Sequence, residues 1–330
     1  MTDVKDRMEL LFLYETKDCN PNGDPLEENR PRTDPDTGVA LVTDVRIKRT
    51  IRDYLFYVKE KDILIRDTYD EKGFLRDGKG RAQSLEEVAN ITEKDALPQA
   101  VEKAQDAILK NFIDARLFGS TLPITPPSER KKQKDKQKQS AITITGPVQF
   151  CGFSRSLHKV NPMFIQGTAA FASDPGVSLQ KTLREDFILP YALIATYGVV
   201  NEVSANTTWL TEEDVDLMLE GLWQGTASLT SRSKIGHTPL FLMRIRYKGQ
   251  KQIGNLAGKL KLHTSLEDTK IRDVSEYTID ISTLHEALNK NKDNIKEINV
   301  YENGIKFTLN GKTGTFTELI EMDIKISKLW

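Results

Sequence analysis

Four cations crowd the start of one short segment. In "TDPDTGVALVTDVRIKRTIRDYL", Arg46, Lys48, Arg49 and Arg52 fall within seven positions. Guanidinium and ammonium groups at such density neutralise phosphates, so the chemistry they offer is the binding of a polyanion rather than bond-breaking. Two further segments carry the same kind of side chain. "GFSRSLHKVNPMFIQG" combines Ser154, Arg155, His158 and Lys159 with the apolar Met163 and Phe164. "SLTSRSKIGH" places Arg232 and Lys234 in a Ser/Gly-rich loop. The early loop "KDCNPNGDPLEEN" adds Asn20 and Asn22, with Gly23 suited to close approach. Cations, small hydrogen-bonding loops and apolar side chains together suit an unpaired polynucleotide, held by its phosphates and wedged or stacked at its bases.

Each of these features has a plainer reading. A single basic helix is more often a solvated face than a ligand site. Met163 and Phe164 equally suit a small satellite core or a protein contact. Arg232 could stabilise the C-terminal end of a preceding helix.

Other chemistry is poorly supported. "DCNPNGDPLEEN" approaches a calcium-binding loop, yet its twelfth position is Asn29 where a bidentate Glu is required. "GFLRDGKG" resembles a phosphate-binding loop without the Ser or Thr that holds magnesium. His158, His237, His263 and His285 show no metal-ligand spacing with each other or with the two cysteines, Cys19 and Cys151. No Gly-x-Ser-x-Gly nucleophile motif occurs. An enzyme is therefore not expected, and neither is a cofactor or a metal.

The composition sets the outer bounds. The 330 residues include 47 basic and 48 acidic side chains, a formal charge of −1. A dedicated nucleic-acid-binding domain is usually far more basic. Here the cations would have to gather on one face, with the acids turned elsewhere. No apolar run is long enough for a bilayer, and two distant cysteines suit a reducing compartment. The expectation is a cytoplasmic chain with no membrane contact.

The elements that must position these residues follow from periodicity. "MELLFLYET" reads as a strand and is followed by a turn-rich loop. A helix then carries Ile47, Ile51, Tyr54, Leu55 and Val58 on one stripe, with Thr43 or Asp44 as its cap. A second helix covers 98–117, with Pro98 at its start. The lysine-rich 128–139 reads as a mobile linker. "AITITGPVQFCGFS" reads as strand broken at Gly146-Pro147, and "REDFILPYALIATYGVVN" as a long apolar strand. "LTEEDVDLMLEGLWQGTASL" is a third helix capped by Thr211, and "TPLFLMRIRYK" a final core strand. "INVYENGIKFTLNG" predicts a hairpin at Asn303-Gly304.

Without its inserts the order is strand, helix, strand, strand, helix, strand. That is the α+β, ferredoxin-like plan also used by RNA-recognition modules. The chain then reads as a single domain over 1–330. Core elements lie at about 8–59, 141–152 and 187–248. Insertions occupy 60–140 and 153–186, the second too far out to reach the core, and 249–330 is a C-terminal extension.

Taken jointly, "NPNGDP", the basic helix, "DARLFGSTLP", "GPVQFCGFSRSLH", "FILPYALIATYG" and "SRSKIG" resemble the backbone subunit of type I CRISPR surveillance complexes. This is the CRISPR-associated protein seven family, in its subtype I-B form, and the resemblance runs over roughly 8–248. It implies a modified RNA-recognition fold shaped like a hand, which assembles head to tail along a guide RNA. Residues 154–186 would take the place of the family's thumb hairpin, which displaces guide bases at intervals so that the others pair with target DNA. Lys48, Arg49 and Arg52 match the basic helix that contacts guide phosphates, and 231–236 matches a second guide-facing loop. The implied partners are guide CRISPR RNA, target DNA, further copies of the chain, and guide-processing, large and small subunits. Type III relatives cut RNA with a loop aspartate. Asp24 and Asp34 occupy the comparable loop, which makes an endoribonuclease the alternative reading.

Overall fold

Strand Met8–Cys19 is buried throughout "MELLFLY", as a mainly apolar run requires of a strand in the middle of a sheet, with Glu9 its one charged member. The computed structural model describes residues 2–69, 73, 75–89, 97–123, 141–169, 182–322 and 325–329. The expected linker at 128–139 lies outside them, as does 170–181. The described chain divides into two compact units. One contains residues 1–8, 48–149 and 199–225, the other 9–47, 150–198 and 226–330.

The larger unit is built on a sheet whose neighbours run in the order Lys325–Lys328, Ile295–Glu302, His237–Tyr247, Met8–Cys19, Thr182–Val200, Phe153–Lys159 and Val39–Thr43. Its core gathers Leu11, Leu13, Leu193, Phe241 and Met243 with Phe307 and Phe316. Phe241, Phe307 and Phe316 form an aromatic triangle with centroids 5.0–5.8 Å apart. A buried carboxylate anchors the region after 248 to this sheet. Glu9 accepts hydrogen bonds from Tyr197 Oη at 2.5 Å, from Tyr247 Oη, and from the amides of Ile253 and Gly254 at 2.8 and 2.7 Å.

Strand Thr182–Val200 crosses Pro190, which has no N–H to donate. The proline falls between two registers on the same strand. Met163–Ala169 pairs antiparallel with 182–188, and Arg155 and Ser156 pair with Ala195 and Ile194. In the gap, the Leu193 amide donates to His158 Nε2 at 3.3 Å. A side chain thus accepts from an amide of this strand that lies between the two registers.

The other unit has its own core, in which Ala100, Ala104, Ile108 and Phe112 pack with Leu64, Leu122 and Ile144. Helix Leu97–Asn111 follows the expected periodicity, but the expected single helix over 98–117 is two. Phe112 takes extended backbone, and a second helix runs Ile113–Phe118. Gly119–Pro123 and Ala141–Thr145 form an antiparallel pair. Helix Glu212–Ala227 lies against the basic helix, Asp44–Tyr57, through Gly221 and Gly225. A Cβ at Gly225 would stand 3.0 Å from Thr50 O, tighter than most such contacts, so the helices would have to move slightly apart.

Two expectations fail here. The turn at Asn303-Gly304 does not make a hairpin. Ile295–Glu302 stays in the main sheet, whereas Phe307–Leu309 enters a separate four-stranded sheet. The hairpin lies one turn later, at Asn310-Gly311, where both residues take left-handed φ (51° and 77°) and join Phe307–Leu309 to Lys312–Gly314. In addition, Phe153–Lys159 does reach the core: it is a strand of the main sheet and buries Ser154, Ser156 and His158.

Candidate nucleic-acid interface

The early loop is attached to the start of the basic helix by one amide side chain. Asn22 Oδ1 accepts from the Thr43 amide at 2.8 Å and from Thr43 Oγ1 at 2.9 Å. Thr43 Oγ1 in turn accepts from the Arg46 amide at 3.3 Å, an N-cap. Asn20 ties in the loop at 231–236. Its amide donates to Ser233 O at 2.9 Å, and its carbonyl accepts from Lys234 Nζ. Asn20 Nδ2 donates to Asn29 O at 2.6 Å, while its Oδ1 is a buried acceptor without a partner among the described residues.

Three sequence segments therefore converge within the larger unit, and they bring two cations together. Burial, and then the neighbouring Arg46 charge, push the Lys234 ammonium down to about 8, with Cys19 opposing. Two like charges held close form a site whose electrostatics favour a phosphate. Beneath Lys234, His237 is held at about 4, chiefly by burial, and its Nδ1 lies 2.6 Å from Lys234 O. Leu26, Val45 and Ile235, from the same three segments, are exposed apolar side chains.

Other expected contacts have intramolecular partners. Arg155 pairs with Asp34 at 2.7 Å, and that guanidinium draws the Asp34 carboxyl below its usual range. Arg232 pairs with Asp186, so its partner is a carboxylate and not a helix end. Lys159 is exposed, with its amide donating to Asp268 Oδ2 at 3.1 Å. Ser154 is buried and accepts from Thr196 Oγ1 at 2.9 Å. His158 is buried against Tyr191, with ring centroids 5.9 Å apart, and burial pushes its imidazole down. Ser154 and His158 thus lie in the sheet interior, away from any solvent-facing ligand.

Met163 and Phe164 are about half exposed, on the antiparallel ribbon of Met163–Ala169 with Thr182–Val200. The Phe164 and Phe187 rings meet at a tilt with centroids 5.0 Å apart, and the Arg30 guanidinium lies 4.3 Å over the Phe187 ring.

The remaining cations of the helix belong to the other unit. Lys48 Nζ donates to Gln149 Oε1 at 3.3 Å and lies 5.7 Å from the centre of the Phe118 ring. Arg49 pairs with Asp53 one turn along at 2.8 Å. Arg52 pairs with Asp114 at 2.8 Å, and that carboxylate also accepts from the amides of Leu64 and Ile65. Sequence reasoning missed the carboxylates Asp114 and Asp186, and it considered Asp34 for cleavage and not as the partner of Arg155. The only available signal was an acid in the otherwise apolar "NFIDARLFG". Asp24 is likewise engaged, accepting from Arg32 at 2.7 Å.

Among the described residues no helix is long and apolar enough to cross a membrane. The family model described as CRISPR-associated protein Cas7 matches residues 6–282. A curated relative from Haloferax volcanii, "CRISPR-associated protein Cas7", is 31% identical over 317 residues, covering 90% of this chain and 87% of that protein. Of the solved structures, a chain of "CRISPR RNA-guided surveillance complex, pre-nicking" aligns with a TM-score of 0.51 at 12% identity. That alignment covers 98% of this chain and 96% of the other, a likeness of fold.

Proposed function

Because the chain belongs to the CRISPR-associated protein Cas7 family, we propose that it is a non-enzymatic backbone subunit, of subtype I-B kind, in a cytoplasmic CRISPR RNA-guided surveillance complex. Copies line up along a guide RNA, hold its phosphates, and leave its bases to pair with target DNA. Sequence selection then comes from base pairing, and the protein recognises backbone and shape. Guide-processing, large and small subunits complete the assembly.

The observation that carries this reading is the convergence of the 20–23 loop, the helix start and the 231–236 loop on Arg46 and Lys234. Those two cations take one guide phosphate. Lys48 and Arg49 serve further phosphates, and Arg52 acts by holding the helix in place. The strand order fits: with 8–19 as first, 153–159 as second, 182–200 as third and 237–247 as fourth, neighbours run fourth, first, third, second. That order supports the reading of an RNA-recognition core. The ribbon carrying Met163 and Phe164 would be the thumb, its exposed side chains wedging against displaced bases. The involvement of Asp24 and Asp34 with arginines favours a supporting role for both over cleavage.

The test is binding of single-stranded RNA to the full chain by fluorescence anisotropy across a salt series. Arg46→Ala and Lys48→Ala should each weaken binding and lower the salt slope by about 0.7 per lost phosphate contact. Unchanged affinity and slope in both variants would overturn the assignment.

A further inference from the structure

One loop tip and one cleft, on different units, have complementary chemistry. The tip is the turn between Gly23–Asp24 and Arg30–Pro31, which pair antiparallel. Asp24 organises it. Its carbonyl accepts from the amides of Glu27 and Asn29 at 3.1 and 2.8 Å, and its carboxylate from the Leu26 amide at 3.0 Å. Glu28 and Asn29 adopt left-handed φ of 52° and 58°. This fixed turn holds Leu26 out at 94% exposure, followed by the exposed Glu27 and Glu28. A lone exposed leucine is unremarkable on its own. An apolar side chain on a rigid tip with two adjacent acids is a ready-made knob, because little ordering cost remains to be met on binding.

The cleft has a volume of about 380 Å³ and is lined by Lys103, Asp106, Ala107, Lys110 and Trp209. The four helical residues recur at spacings of three and four, so they form one face of helix Leu97–Asn111, with Ala107 as a low floor between two lysines. Trp209 forms the wall. It follows helix Glu202–Thr208 in left-handed backbone (φ 55°), a conformation ordinarily left to glycine or asparagine, and is 47% exposed. Strained backbone that displays a large aromatic beside a cleft is the kind of outlier that marks a binding site.

We propose that the Leu26-Glu27-Glu28 tip of one copy seats in the Trp209 cleft of the next copy, with Leu26 on Ala107 and Trp209 and the two glutamates toward Lys103 and Lys110. The charges are opposite in sign, the tip carrying Glu27 and Glu28 with Arg30 paired to Glu28 and the cleft carrying Lys103 and Lys110 with Asp106 between them, and the apolar parts match at the centre. The two surfaces differ, so the contact is heterologous and propagates in one direction, as assembly along a linear strand requires. This inference rests on the backbone-subunit reading and names the surface through which copies meet.

The experiment counts copies on a long guide RNA by mass photometry. It uses the parent chain, Glu27→Lys with Glu28→Lys, Lys103→Glu with Lys110→Glu, an equal mixture of these two double variants, and one chain bearing all four changes. Each double variant alone should bind its neighbour about tenfold more weakly and leave long guides underfilled, while the four-change chain restores filling. Leu26→Asp should match the single-sided losses. In the mixture, unlike copies are complementary in both orders, so alternating rows form and filling rises above that of either double variant alone. Normal filling by every variant, or no rescue by the four-change chain, overturns the proposal. So does loss of a different subunit while the copies still line up, because the cleft would then receive that subunit. Short RNA that accommodates one copy separates this from the broader reading: parent and variants should bind it equally. If the parent binds no RNA, the backbone reading fails, and the same reversal and rescue are read in self-association of the chain without RNA.

Discussion

Arg52 and Asp114 meet at 2.8 Å, with the carboxylate fully buried and the guanidinium 11% exposed. The arginine also lies 5.1 Å over the Phe118 ring. A cation that looks in sequence like part of a phosphate-binding row is the counter-ion of an interior acid. Removing it leaves a buried charge uncompensated, which costs far more than losing a surface pair. Arg52→Ala should destabilise the chain by about 3–5 kcal/mol, measured by denaturant unfolding. An unfolding midpoint equal to the parent's would show that Asp114 finds another partner, and RNA binding by this variant is meaningful only where it remains folded.

Lys48 and Arg49 behave differently because their contacts are near the surface. The Arg49–Asp53 pair is an exposed i,i+4 pair worth only about 0.3–0.5 kcal/mol. Arg49→Ala should therefore leave the unfolding midpoint almost unchanged while RNA affinity falls. A variant with parental affinity at every salt concentration would remove Arg49 from the interface.

Lys234 links RNA binding to pH. In the free chain its ammonium is held at about 8, mainly by burial and then by Arg46; Cys19 and the neutral, buried His237 and Tyr14 are the other titratable groups around it. A phosphate placed between Lys234 and Arg46 favours the charged lysine, so binding takes up a proton when the pH lies above about 8. Affinity should fall as pH rises from about 8 toward 10, and Lys234→Met should flatten that fall while weakening binding below it. The stability effect has the opposite sense. The unfolded lysine holds its proton to higher pH than the folded one, so this group's contribution to stability rises across the same window.

Acid should unfold the larger unit partly through His237. Its imidazole is held at about 4, so between about 6.5 and 4 the unfolded chain binds a proton that the folded chain does not, and stability falls as the pH is lowered through that range. The loss approaches about 3 kcal/mol at the lower end. His158, also pushed down by burial, adds in the same direction. A plot of unfolding free energy against pH that is flat from 6.5 to 4 in the parent, or unaltered by His237→Phe, would contradict this.

Glu9 gathers four donors onto one buried carboxylate. Glu9→Gln turns an amide N–H₂ toward groups that themselves donate, and should cost about 2–3 kcal/mol. Hydrogen exchange should quicken first at Ile253 and Gly254. Equal protection there in parent and variant would mean that other contacts hold the 253–254 segment.

Much of the fold was legible because its signals are local. The loose β-like alternation at 8–16, the stripe of Ile47, Ile51 and Tyr54, and the Thr211 cap with its following acids each depend on neighbours a few positions away. The elements they specify appear at Met8–Cys19, Asp44–Tyr57 and Glu212–Ala227. The hairpin at 303–304 was misread for the complementary reason. A left-handed Gly304 is required there, but whether the next strand returns to the same sheet depends on what else can pair with it. Phe307–Leu309 finds a parallel partner in Thr278–Asp280.

For the site, the sequence by itself determined which side chains are cationic, and that they cluster in three segments. Only the tertiary structure decided how each charge is used, because charge compensation acts through space between residues remote along the chain. Asp114 lies 62 positions from Arg52, and Asp34 lies 121 from Arg155. The same holds for His158, whose ring accepts from a strand amide 35 residues away. A residue type states what a group can bond to; burial and distance select the bond it makes.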